Sequence, residues 1–129
     1  MATIFSRIIA GEIPSYKVAE NDRYYAFLDI NPLTKGHTLV VPKCEIDYIF
    51  DLDDDTLSGM ILFAKEVAAK IKSSVECNRV AVMVLGLEVP HAHIHLVPIN
   101  NESDVDFSRE RVKFTPEEFL EIASEIASK

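Results

Sequence analysis

The chain is poor in cysteine, basic residues and long apolar runs, and each shortage excludes a class of protein. Its 129 residues include only two cysteines, Cys44 and Cys77, which lack the CxxC spacing of zinc or redox motifs. The 13 Lys and Arg stand against 21 Asp and Glu, and the net charge of −8 repels nucleic-acid polymers. No apolar run is long enough to span a bilayer or to serve as a signal-peptide core. We therefore expect a reduced, cytoplasmic protein that binds neither nucleic-acid polymers nor membranes.

The rest of the composition predicts one domain over residues 1–129, because 48% of the residues are hydrophobic and can form a core without disulfides. Helical periodicity predicts a short helix after the cap Thr3, a long helix at 54–74 and a closing helix. The closing helix begins with a capping box of Thr115, Pro116 and Glu118. Strand-like segments are 17–30 (two runs with a turn at Asn21–Asp22), 37–43, 79–85 and 91–98. These elements predict an α+β fold, an antiparallel sheet of about five strands with a long helix and short helices packed on it.

The apolar stripe of the helix predicted at 54–74 is wider than contact with one sheet requires. Leu62 and Phe63 extend the stripe beyond the positions that recur at three- and four-residue steps. A partner subunit and a broad contact within one monomer both explain this width, and the sequence leaves the two explanations open.

Histidine is scarce and clustered. Of four histidines, His91, His93 and His95 occupy every second position of the stretch VPHAHIHLVP, and His37 precedes another strand-like run. Side chains alternate along a strand, so the three imidazoles share one face, which we expect to look outward from the core, at a spacing of roughly 6.5–7 Å. An imidazole titrates near pH 6.5 and can donate, accept or ligate a metal. The cluster favours chemistry or metal binding over a merely polar strand face.

The same stretch, HAHIHLVP, resembles the signature of the histidine triad (HIT) family, nearest its nucleoside phosphoramidase (Hint-like) branch. The resemblance extends over TIFSRIIAGEIPSYKVAENDRYYAFLDINPLTKGHTLVVPK and leaves residues 101–129 as a C-terminal extension ending in a helix. It implies a homodimeric hydrolase or transferase without a cofactor. The implied substrates are purine nucleoside monophosphate derivatives, such as phosphoramidates and acyl adenylates, attacked at the α-phosphate.

The resemblance also implies a role for particular residues. His93 matches the nucleophile that forms a nucleotidyl-histidine intermediate, His95 the residue that contacts phosphate oxygens, and His91 and His37 the rings that orient them. Asp29 matches the carboxylate that binds the ribose hydroxyls. The residues that match the apolar cleft around the base are Ile4, Phe5, Ile8, Phe27 and Ile30, and core packing is the alternative for Phe5 and Ile8.

Two departures from the family pattern bear on the site. Some bacterial members bind structural zinc, but Thr3, Ser6 and Glu45 stand where three of the four ligands are expected, so we predict no metal. Leu87 and Glu88 replace polar residues that bind phosphate and leaving group. We therefore hypothesise that Glu88 lies near the leaving group and favours amines, although a solvated loop glutamate explains it equally well.

Three functions compete with a phosphoramidase. The first is a dinucleoside polyphosphate hydrolase, and the second is a nucleotide-binding module without turnover. The third is a metalloprotein in which two of the triad histidines and His37 bind zinc and activate water.

Overall fold

The computed structural model describes residues 2–129 and places the predicted helices and strands within a few residues of their expected positions. The elements are α1 (Ile4–Ile9), β1 (Lys17–Glu20), β2 (Tyr24–Leu28), β3 (Thr38–Pro42), α2 (Asp54–Ser74), β4 (Arg79–Met83), β5 (Ile94–Ile99) and α3 (Pro116–Ala127), with 3₁₀ turns at Ile49–Asp51 and Glu102–Val105. No helix in the described range has the length and apolarity needed to cross a bilayer.

Side-chain caps fix where the helices begin. The hydroxyl of Thr3 accepts from the Ser6 N–H at the start of α1. Thr115 and Glu118 form the predicted reciprocal capping box of α3. The carboxylate of Asp53 accepts from the Thr56 N–H at the start of α2. Each contact satisfies a backbone donor that the first helical turn leaves without a partner.

The five strands form one antiparallel sheet in the order β1-β2-β3-β5-β4. β3 lies in the middle and is buried at all five positions, as its continuous apolar sequence predicted. The α+β prediction is thereby confirmed.

The two faces of this sheet are covered differently. The helix face (Ala26, Leu28, Val40, Ile94 and Leu96) packs against α2 and α3 in the main core. The histidine face carries Tyr25, Phe27, Leu39 and Val41, which pack against Phe5 of α1, together with His95, the register partner of Leu39. The site thus lies on the side of the sheet away from the two long helices.

Two expectations about strands need correction. The strand predicted at 79–85 ends at Met83, and Val82, Val84 and Leu85 are exposed; β4 is the edge strand of the sheet that residues 2–129 form. The histidine row does not look out to solvent, since β5 begins only at Ile94 and all three imidazoles are buried.

Candidate active site

Four histidines from two segments of the chain converge on the histidine face. His37 directly precedes β3, His95 lies on β5, and His91 and His93 lie in the segment before β5. The ring centroids of His93 and His95 are 4.9 Å apart, and those of His37 and His95 are 5.2 Å apart. Only 6% of His93 and 7% of His95 are exposed. The structure therefore brings together all four histidines that the sequence singled out.

The hydrogen bond of His93 determines which of its nitrogens is reactive. Nδ1 of His93 lies 2.8 Å from the backbone carbonyl oxygen of His91. A carbonyl oxygen only accepts, so Nδ1 carries the proton and donates it. In the neutral ring the lone pair then resides on Nε2. His93 is held as a potential nucleophile whose reactive atom is Nε2.

A second hydrogen-bond chain fixes the protons of His37 and His95. The backbone N–H of Leu33 donates to Nδ1 of His37 at 3.0 Å, so in the neutral ring the proton is on Nε2. That Nε2–H donates to Nδ1 of His95, also at 3.0 Å. His95 must then carry its own proton on Nε2, which is the donor that it offers to a bound anion.

Burial keeps these two imidazoles neutral. Desolvation lowers the pKa of His37 to about 4, although the Asp29 carboxylate opposes the shift. Desolvation, reinforced by His37, His93 and Arg111, lowers the pKa of His95 to about 3. The site at neutral pH therefore offers oriented N–H groups rather than imidazolium charge.

Asp29, His37 and His95 place their ligand atoms within 4.8 Å of one another, a spacing at which a metal ion is conceivable. The hydrogen bonds argue against it. Because the Leu33 N–H occupies Nδ1 of His37, Nε2 is protonated in the neutral ring and has no lone pair for a metal. Asp29 Oδ2 lies 3.6 Å from that same Nε2, where a carboxylate attracts the proton. The trio fits a proton-holding chain better than a metal centre.

The apolar residues predicted for the base cleft divide into two groups. Phe5 lies edge-on to His93 with a centroid distance of 5.0 Å and contacts Phe27 at 5.6 Å. Ile8 packs against the same cluster. Ile4 and Ile30, by contrast, are 49% and 73% exposed. The structure brings the first group to the histidines and leaves the second at the surface.

Residues 10–102 match the family model described as the HIT domain. The chain belongs to the HIT family. It is 36% identical to an uncharacterised HIT-like protein of Borreliella burgdorferi over 96% of this chain and 95% of the relative. It is 32% identical to an adenosine 5′-monophosphoramidase of Schizosaccharomyces pombe over 100% and 98%. A crystal structure of a HIT-like protein from Bartonella henselae superposes with a TM-score of 0.84 at 31% identity, covering 98% of this chain and 95% of the other.

The positions at which zinc-binding HIT proteins are expected to hold their metal form a hydrogen-bonded cluster here. The Thr3 hydroxyl donates to Nδ1 of His91 at 2.8 Å, since Nε2–H of His91 donates to the Pro42 carbonyl at 2.8 Å. Glu45 accepts from the Ser6 hydroxyl at 2.6 Å and from the Thr3 N–H at 2.8 Å, contacts that lower the pKa of its carboxyl. Hydroxyls are poor substitutes for the N and S ligands of structural zinc. These residues therefore do not fit that metal.

Glu88 is exposed in the loop between β4 and β5. The C-terminal extension, to which the sequence assigned no contact, reaches the site through the segment DFSRERVKF. In the structure Phe107 packs edge-on against His95 at a centroid distance of 5.3 Å. Tail residues thus cover the histidine that lies beyond the reach of α1, and they fall outside the HIT domain match.

Proposed function

We propose that this HIT protein hydrolyses nucleoside monophosphate derivatives at the α-phosphate, with phosphoramidates as the preferred class. The observation that carries the proposal is the 2.8 Å contact between Nδ1 of His93 and the His91 carbonyl, which leaves the lone pair on Nε2. The name of the S. pombe relative, an adenosine 5′-monophosphoramidase, supports the substrate class.

His93 acts as the nucleophile. Its Nε2 attacks the α-phosphorus, a phosphorus–nitrogen bond forms to the imidazole, and the bond to the leaving amine breaks as that amine takes a proton from water. The substituted ring is positively charged, and its Nδ1–H continues to donate to the His91 carbonyl. Water then attacks phosphorus, the electron pair of the phosphorus–imidazole bond returns to Nε2, and the nucleoside monophosphate leaves. The attacking water releases a proton to solvent, which neutralises the hydroxide left when the amine was protonated.

The surrounding groups hold the phosphate and the sugar. Nε2–H of His95, oriented through His37, donates to a non-bridging oxygen and stabilises the charge that develops there. Asp29 is half-buried at the end of β2 and accepts from the Asn31 N–H, which leaves carboxylate lone pairs for the ribose hydroxyls. Phe5, Ile8 and Phe27, with Ile4 and Ile30, form the base subsite for a purine.

The test is AMP release from adenosine 5′-phosphoramidate by the purified chain, by His93→Ala and by His93→Asn. We expect both variants to lose at least about 1000-fold in kcat/KM, because the nucleophile cannot be replaced by water without a large penalty. Asn keeps an amide that can donate to the His91 carbonyl, so it controls for disruption of the loop. Glu76→Gln, at an exposed position past α2, serves as the unaffected control.

Other outcomes select the alternatives. Binding of AMP without turnover of any adenylated substrate would make the chain a nucleotide-binding module. Faster cleavage of dinucleoside polyphosphates than of phosphoramidates would make it a polyphosphate hydrolase. Activity that is lost on chelation and restored by zinc would favour the metalloprotein.

We also propose that Glu88 favours amine leaving groups, since a carboxylate near the leaving group attracts cations and repels anions. Glu88→Ser should narrow the discrimination between a phosphoramidate and a dinucleoside polyphosphate by a few-fold, roughly what one screened surface charge achieves. Unchanged discrimination would remove the idea.

We propose, finally, that two copies associate through the outer edge of β4 and the adjoining surface of α2. An edge strand with exposed Val82 offers unpaired backbone groups. Next to it Phe50, Ile61 and Leu62 are 70%, 48% and 61% exposed and line or adjoin a groove that extends to His93. Sedimentation velocity should show a dimer at micromolar concentration, and a monomer would contradict the proposal.

A further inference from the structure

The segment from Phe107 to Val112 lies along the site although it is distant from it in sequence. Phe107 packs against the ring of His95 at 5.3 Å. The N–H of Val112 donates to the carbonyl of Pro32 at 3.0 Å, which ties the tail to the loop that connects Asp29 with His37. The tail is therefore a wall of the site rather than an appendage.

Arg111 is the cation of this wall, and its guanidinium is held in place. One terminal nitrogen donates to the Asn31 carbonyl at 2.7 Å and the other to the Phe107 carbonyl at 3.3 Å. Its Cζ lies 5.2 Å from the centre of the Phe107 ring, a cation–π distance. A guanidinium has five N–H donors, so this anchoring leaves donors for a ligand.

Arg111 forms no ion pair with a carboxylate among residues 2–129, whereas its neighbour Arg109 donates to Asp104 at 2.8 Å. An arginine that is half-buried, anchored on carbonyl oxygens and not neutralised by an acid is oriented to bind an anion. Its charge is felt at both His37 and His95, whose pKa values it helps to lower.

The charge of the proposed substrate requires such a group. A phosphate ester is an anion at neutral pH, but burial keeps His37 and His95 uncharged, and the chain as a whole carries a net charge of −8. Uncharged N–H donors orient a phosphate without neutralising it. A fixed positive charge beside these donors would offset the charge of the phosphate.

We propose that Arg111 binds the phosphate of the nucleotide from the tail side of the site and thereby sets the preference for nucleotide over nucleoside. This proposal rests on the proposed function. The tail thereby supplies a charged donor, whereas Leu87 and Glu88 stand in the loop before the histidines where the family pattern has neutral donors.

The test compares the dissociation constants of AMP and adenosine by calorimetry in the wild-type chain, Arg111→Gln, Arg111→Lys and Arg109→Gln. We expect Arg111→Gln to weaken AMP binding about 10- to 30-fold while adenosine changes by less than about threefold, since only AMP carries the anion. Arg111→Lys should restore part of the AMP affinity. Arg109→Gln disturbs the same tail without touching the site, so its ratio of the two constants should stay at the wild-type value.

The outcomes separate the two proposals. The role of Arg111 is overturned if the wild-type chain binds AMP well and Arg111→Gln leaves the ratio of the AMP to the adenosine dissociation constant unchanged. The proposed function would still stand. A wild-type chain that neither binds AMP nor cleaves adenosine 5′-phosphoramidate overturns both. If Arg111→Gln does not fold, Arg111→Lys carries the test, because loss of the planar fork should still raise the ratio of the AMP to the adenosine dissociation constant about threefold. An unchanged ratio again overturns the role of Arg111.

Discussion

The two faces of the sheet show how differently one set of strands can be used. The helix face is covered by apolar side chains of α2 and α3, and its contacts are non-directional. The histidine face is covered by one short helix and a tail, and its buried polar groups each have a defined hydrogen-bond partner. Folding stability should therefore reside mainly on the first face and chemistry on the second.

The largest expected effect tests the first half of that comparison. Ile71 of α2 is fully buried in the main core, and Ile71→Ala should cost about 2–5 kcal/mol by loss of burial and by the cavity left behind. Leu120→Ala, on the exposed side of α3, should cost less than about 1 kcal/mol. Urea unfolding measures both. AMP release per folded molecule should be unchanged in Ile71→Ala, and a loss there would mean that the two faces are coupled.

The second effect is pH dependence, which should come from the histidine face. Because burial lowers the pKa of His37 from 6.5 to about 4 in the folded chain, the unfolded chain binds this proton more readily between those values. The contribution of neutral His37 to the free energy of unfolding is complete above pH 6.5 and is lost as the pH falls through 4. Its size is on the order of 2–3 kcal/mol. Melting temperatures at pH 7 and pH 4 should therefore differ more in the wild-type chain than in His37→Gln. Equal differences would mean that other groups control acid unfolding.

Much of the fold follows from local sequence signals, because caps and apolar periodicity act over a few residues. Thr3 and Thr115 cap their helices as predicted, and the helix predicted at 54–74 begins at Asp54. The clustering of His91, His93 and His95 likewise needs only the alternation of a strand. Their burial could not be predicted, since it depends on α1 and on a tail that reach the sheet from distant parts of the chain.

The contacts of Phe107 and Arg111 show what sequence patterns miss. Phe107 has no periodic partner, and Arg111 is one of two arginines in the tail, with no spacing that distinguishes it from Arg109. Only tertiary structure separates the arginine that pairs with Asp104 from the one that is anchored on Asn31 beside the site. The histidines could be predicted as site residues from the sequence because one segment carries three of them.

The smallest expected effect concerns Thr3, which joins α1 to the histidine face. Thr3 caps α1 and also donates to His91, whose carbonyl fixes the proton of His93. Thr3→Val keeps the shape but removes both hydrogen bonds, and it should cost about 1 kcal/mol and lower AMP release a few-fold. Thr3→Ser keeps the hydroxyl and should match the wild-type chain in both measurements.

Equal losses in Thr3→Ser and Thr3→Val would mean that the methyl group matters as much as the hydroxyl, and would contradict an effect carried by the hydrogen bonds alone. A loss confined to Val would show that hydrogen bonds between Thr3, Ser6, Glu45 and His91 hold α1 against the histidines, the task that a structural metal performs in zinc-binding members. Such a cluster is directional like a metal site, but each of its bonds is individually weak. The site would then tolerate the loss of any one bond with a graded decline in activity, whereas a metal site fails when a ligand is removed.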